Sequence, residues 1–255
     1  MPKPLITTVI VSQVQTQLLA ASINSVKSSS QILIVDTSGK LKDLKIPGVE
    51  LKIVRYPEPI TNFSKVRNWA LKQVQTDWVL FIDSDEQLET GGLSQIIQIL
   101  TQTRSSALAV WRRDIFLNQP LKFGEAGHQS LPRVFKKTQV KYWGAVHERP
   151  KVVGQTLQTN ILLFHNSHAS ISEFISKISR YAQLVAKERS SQGLESLPII
   201  WLKLLTFPWF KLFVNLIVKQ GFRDGWRGIV YALVMSLHSL LVRIFELEII
   251  YGQTT

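Results

Sequence analysis

The chain has 255 residues, 45% apolar and 19% charged, and its 30 Lys and Arg against 18 Asp and Glu give a net charge of +12. Such a composition suits one large globular domain, or one domain with an appendage, and excludes disordered, collagen-like and coiled-coil classes. There is no cysteine, which rules out disulfide scaffolds, zinc–thiolate modules, iron–sulfur clusters and thiol nucleophiles and is compatible with a reducing cytosol.

The opening MPKPLITTVIVSQ turns polar too soon for a secretory signal, so an intracellular protein is expected. Short β-branched runs then recur at 6–12, 31–37, 51–56, 78–85 and 107–116, with helical stretches at 16–27 and 64–75 between them. In the second of these helices Val66, Trp69, Ala70 and Val74 share one face. Strand, helix, strand repeated in this way predicts βαβ units and a mainly parallel sheet. The fully apolar VLFI at 79–82 predicts a strand buried on both faces, with polar groups appearing where it ends. LSQIIQIL after Gly91 and Gly92 reads as a further helix, and 172–189 as an amphipathic one with Phe174, Ile175, Ile178, Tyr181, Ala182 and Val185 at helical spacing.

Beyond about Leu197 the composition becomes apolar and aromatic, so a domain boundary is placed near Gly193: 1–192 as the catalytic domain and 193–255 as a helical extension. The longest charge-free run there, between Arg227 and Arg243, has 15 residues, whereas a helical span needs about 20. After Pro208, the polar stripe Lys211, Asn215, Lys219 opposes Trp209, Phe210, Phe213, Leu216 and Ile217. The pattern matches a helix lying in a membrane interface, and the alternative is a helical hairpin packed on protein. Residues 101–227 hold 19 basic against 7 acidic groups and so carry the surplus charge. An anionic partner is expected: nucleotide phosphates or an anionic membrane surface. Without a recognisable reading module, nucleic acid is not an expected partner.

The chemistry-bearing run is DWVLFIDSDEQLE, residues 77–89. Its strand delivers Asp83, Ser84, Asp85 and Glu86 into a loop. Carboxylates at i and i+2 can share Mg2+ or Mn2+ and leave positions for a diphosphate and water. The alternative is an acidic pair in a solvated turn, but ligands bind at the carboxyl ends of parallel strands.

Four ordered segments resemble the family 2 inverting glycosyltransferases of the GT-A fold: ITTVIVS, QILIVDTSGK, SKVRNWALKQVQTDWVLFIDSDE and LPRVFKKTQVKYWGAVHE, within residues 4–170. The subgroup most similar is that of the bacterial lipopolysaccharide-core glucosyltransferases. The resemblance implies an α/β, Rossmann-like GT-A domain with a C-terminal amphipathic helical extension. It also implies a nucleotide-sugar donor, a divalent cation and inversion at the anomeric carbon; with the interfacial C-terminal segment, the expectation becomes a lipid-linked or cell-envelope glycan acceptor and a cytoplasmic enzyme peripheral on the inner face of the cell membrane.

Residue by residue, Asp36 corresponds to the carboxylate that meets the nucleotide base, with a turn aspartate as its alternative role, and Ser12 borders the base. Lys65 and Arg67 open the helix near the donor phosphates and sugar. Asp83 faces ribose or metal, Asp85 is the direct metal ligand, and His165 is a third ligand or a core histidine. Glu148 is the candidate general base, with a salt bridge to Arg149 as its alternative. Arg133 holds the active-site loop or an acceptor charge, Trp143 stacks on an acceptor sugar or belongs to the core, and His147 is placed toward the acceptor. A nucleotidyltransferase would need a glycine-rich phosphate loop after the first strand, and SQVQTQ offers none. The non-enzymatic reading is a basic membrane- or nucleic-acid-binding protein.

Overall fold

The computed structural model describes residues 5–60, 62–127, 129–144, 149–193 and 195–252. In chain order these form β1 (Ile6–Ser12), α1 (Gln17–Ser25), β2 (Gln31–Asp36), β3 (Lys52–Arg55), α2 (Phe63–Gln73), β4 (Trp78–Asp83), β5 (Glu86–Leu88) and α3 (Gly92–Leu100). There follow β6 (Ala107–Phe116), β7 (Gln119–Pro120), α4 (Gly124–Gly127), β8 (Gln129–Lys136), β9 (Val140–Trp143), β10 (Arg149–Val152), β11 (Thr156–His168), α5 (Ile171–Ser191), α6 (Leu197–Phe213) and α7 (Gly225–Gly252).

Two compact units result, one of Met1–Arg112 with Ser130–His165 and one of Arg113–Gln129 with Asn166–Thr255. The chain passes between them within β6 and β11. The boundary that composition places near Gly193 therefore falls inside the second unit. The reason is that α5 packs on α7 through the buried Phe174 and Ile178, which share a core with Tyr231 and Val234.

Among the described residues the main sheet runs β3-β2-β1-β4-β8-β6-β11-β5, with β7 added on β6. β3, β2, β1 and β4 are mutually parallel. β8 is antiparallel to β4, and β11 to β5. The parallel half is what the βαβ spacing predicts. The other half has no crossover helix between β8 and β11 to reverse the chain, so its strands return by turns.

β4 explains its own apolar run. Trp78, Leu80 and Ile82 enter a core with Leu19 and Ile23 of α1 and Ile96 of α3, while Val79 and Phe81 enter a second core with Val66 and Ala70 of α2. Alternate side chains of one strand thus fill opposite layers. Helix starts are fixed locally: the Thr16 hydroxyl accepts from Leu19 N–H, and the Asn62 carboxamide from Ser64 N–H. Because β1 lies between β2 and β4, the connections leave it in opposite directions and open a crevice at the carboxyl ends of the strands. Ser12, Asp36 and Asp83 end β1, β2 and β4 at that crevice.

Candidate active site

Asp83, leaving β4, is gripped on both oxygens: Oδ1 accepts from Arg67 Nη2 at 2.7 Å and Oδ2 from Arg133 Nη2 at 3.2 Å. Arg133 also donates to Glu86 Oε1, and the other Glu86 oxygen accepts from Asp83 N–H at 3.0 Å. Glu86 is fully buried, with Arg112 Nη1 3.8 Å from its Oε1. Burial works against ionisation of Asp83, but the two guanidinium groups overcome it and hold the carboxyl far below the usual range. Burial pushes Glu86 upward, with Arg133 opposing it. Two acids and two arginines therefore lock a four-residue turn whose tip presents Asp85.

From behind, the Ser22 hydroxyl of α1 donates to the carbonyls of Ser84, at 3.1 Å, and of Glu86. In front, Asp85 Oδ2 lies 3.5 Å from His165 Nε2, which β11 places opposite Glu86 in register. The side chains of Asp85 and His165 retain 36% and 21% of their exposure, enough to admit a further ligand. No cluster of three His, Asp or Glu suited to a metal occurs among the described residues. The expected trio Asp83, Asp85, His165 is thus corrected to the pair Asp85 and His165, because arginines occupy Asp83. Such a pair fits a Mg2+ or Mn2+ whose remaining ligands come from substrate phosphate and water.

Asp36 is equally committed. Its Oδ1 accepts from Ser38 N–H, Gly39 N–H and the Ser38 hydroxyl at 2.8–3.1 Å, and its Oδ2 from Leu41 N–H at 2.9 Å. Burial would raise its pKa, yet these donors lower it. Three donors on Oδ1 and one on Oδ2 make Asp36 the residue that shapes the DTSG loop, the turn role that is the alternative for it. Ser12 joins that loop: its carbonyl accepts from Thr37 N–H and the Thr37 hydroxyl at 3.1 and 3.2 Å.

Lys65 is exposed on the first turn of α2. Arg67 is not: it is buried against the Phe81 and Tyr142 rings, 5.5 and 5.4 Å away, and holds Asp83 instead of a donor phosphate. Arg133 is likewise buried and holds the acidic turn, not an acceptor. Trp143 is open, 56% exposed, with Lys141 Nζ 5.2 Å from its ring. His147 and Glu148 lie outside the described residues, between Trp143 and Arg149, which pair across β9 and β10.

Sequence reasoning missed two positioning residues. Asn68 exchanges hydrogen bonds with the Tyr142 backbone, donating at 2.9 Å and accepting at 2.9 Å, and so ties α2 to β9. Its place beside Arg67 was the only signal. Ser22 gave none.

Strand order, crevice and acidic turn together define a GT-A type glycosyltransferase domain. A family model described as "Glycosyl transferase family 2" matches residues 8–153, more than half of the chain. The chain belongs to that family and is a glycosyltransferase. It is 22% identical over 261 residues to "Uncharacterized glycosyltransferase RP128" of Rickettsia prowazekii (strain Madrid E), covering 92% of this chain and 84% of that one. Among solved structures, GalNAc-T7 with UDP, GalNAc and Mn2+ matches 76% of this chain and 52% of its own with a TM-score of 0.52 at 12% identity, a likeness of fold. S. aureus TarS matches 98% of this chain and 92% of its own, with a TM-score of 0.46 at 14% identity.

Proposed function

We propose that the protein transfers a sugar, with inversion, from a nucleotide-diphosphate sugar to a lipid-linked or cell-envelope glycan acceptor at the inner face of the cell membrane. The observation that carries this reading is the turn locked by Arg67 and Arg133, which holds Asp85 3.5 Å from His165 at the carboxyl end of β4. In support stand family membership and a fold shared with a protein solved with UDP and Mn2+. Asp85 and His165 would hold Mg2+ or Mn2+, which supplies neutralisation of the charge that develops on a departing diphosphate.

The chain's own residues account for the rest. Lys65, exposed at the positive end of the α2 dipole, attracts the donor phosphates. The backbone edges of the Ser12 and Asp36 loops border the base. The open ring of Trp143 offers a stacking face for a sugar. Glu148 takes the proton of the acceptor hydroxyl as its oxygen bonds to the anomeric carbon and the bond to diphosphate breaks. One displacement of this kind inverts the centre, and positioned base catalysis is worth about 10²–10⁴-fold.

Two apolar C-terminal segments, Leu197–Val218 and Gly221–Gly252, are long and apolar enough to cross a membrane by length and composition. They support the membrane-bound acceptor class. The test is a panel of nucleotide sugars with Mg2+ and with Mn2+, scored by nucleotide release and by proton NMR of the new anomeric centre. Inversion, with loss of turnover in Glu148→Gln, is expected. Retained configuration, or full turnover in that variant, would overturn the mechanism.

A further inference from the structure

The two C-terminal segments pass the length test for crossing a bilayer, yet the second unit ties down both ends of the hairpin they form. At the turn between α6 and α7, the Asp224 carboxylate accepts from Lys122 N–H and Phe123 N–H, the latter at 2.8 Å. The Lys219 carbonyl accepts from Gly124 N–H at 2.9 Å, and buried Asn215 accepts from Glu125 N–H at 2.9 Å and donates to the Glu125 carboxylate. At the other end, buried Glu246 holds Arg243 at 2.6 Å and Arg189 of α5 at 3.1 Å. Between these ends α7 packs along α5, whose exposed residues include Arg180 and Lys187 beside Tyr181 and Leu184.

A 28-residue helix is about 42 Å long, and the hydrocarbon layer is about 30 Å thick. Standing upright, α7 would have one end on each side of a bilayer. It would drag either Arg180 and Lys187 of α5 or the polar 122–125 loop through hydrocarbon, where each charge is costly. Lying flat, it needs neither. The side chains fit that posture: on α6, Leu202, Leu205, Trp209 and Phe213 form an outward stripe 54–72% exposed, and Trp226, Ile229 and Leu233 form one on α7 that is 41–52% exposed. Exposed Lys219 and Arg223 flank the turn and match anionic headgroups.

We propose that the α6–α7 hairpin lies flat in one leaflet of an anionic bilayer, with its turn on the same side as α5. The inference rests on the membrane-bound reading above and sharpens it from association to a one-sided topology. The absence of native cysteine makes the test direct. Single-cysteine variants Gln220→Cys, at the turn, and Ser191→Cys, at the end of α5, are bound to sealed vesicles of phosphatidylglycerol and phosphatidylcholine and treated with a membrane-impermeant maleimide from outside. Both are expected to label fully, and Trp209→Glu, a change at an exposed site, is expected to reduce vesicle binding roughly tenfold. Labelling of Ser191→Cys with protection of Gln220→Cys until the vesicles are lysed would overturn the flat topology while leaving membrane association intact. Failure of the wild-type chain to bind these vesicles would overturn both, and nucleotide-sugar turnover, measured separately, would be unaffected.

Discussion

At Asp83 the carboxylate meets two guanidinium groups, whereas Asp85, two positions on, keeps about a third of its exposure beside His165. The division of labour gives opposite outcomes on substitution. Asp85→Ala removes a half-buried side chain that no guanidinium clamps and should change stability by no more than about 1 kcal/mol while abolishing turnover. Arg133→Met strands the buried Glu86 and should cost about 3–5 kcal/mol, read as a fall in the urea midpoint. Equal stability of Arg133→Met and wild type would refute the locked turn. An acidic pair after an apolar strand made the site legible, because only function or a turn puts carboxylates there. The clamp was not legible: Arg67 and Arg133 reach Asp83 from 16 and 50 residues away, and local pattern carries no such pairing. Arg67 reads from sequence as a donor-binding cation, whereas for Arg133 the loop-holding role is one of the two that the sequence offers.

Element by element, the start of α5 shows how far local rules reach. Ser170 caps the helix by accepting from Glu173 N–H at 3.1 Å, and Glu173 accepts from Ala169 N–H and pairs with Lys177 at 2.8 Å. The hydrogen bond from Lys177 is the main reason the Glu173 pKa is lowered. A carboxyl lowered on folding contributes stability that is complete above its unfolded pKa of about 4.3 and lost as pH falls through the folded value. Amide protection in the first turn of α5, taken relative to the intrinsic exchange rate at each pH, should therefore fall below about pH 4, and Glu173→Gln should flatten that response; an identical profile in the variant would count against the cap. The turn before α7 is tighter. A Cβ on Gly228 would stand 2.0 Å from the Gly221 carbonyl oxygen, so Gly228→Ala should destabilise the second unit by about 1–3 kcal/mol, measured by thermal melting. Helix periodicity was readable because its contacts repeat locally, and the parallel strands because helices between them impose the crossover that keeps them parallel. The strands β8 and β11 were not, since β9 and β10 stand between them and no helix period marks their order.

For the whole molecule, composition located the apolar hairpin and contacts assigned it company. α5 reads as the last helix of a catalytic domain when judged by its charge, but its buried face belongs with α7. Length and hydropathy, on their own, cannot separate a span from a surface-lying hairpin; the polar tethers at both ends are what the flat topology proposed above rests on. The central claim is chemical: the turn after β4 presents Asp85 to a cation that carries a nucleotide diphosphate. The most direct measurement is thermal stabilisation of the full chain by UDP with and without Mn2+, compared between wild type and Asp85→Ala, since a ligand bound only to the folded state raises its stability by mass action. The expected result is a UDP shift that requires Mn2+ in the wild type and vanishes in the variant. An equal shift in both proteins, or one indifferent to the cation, would contradict it.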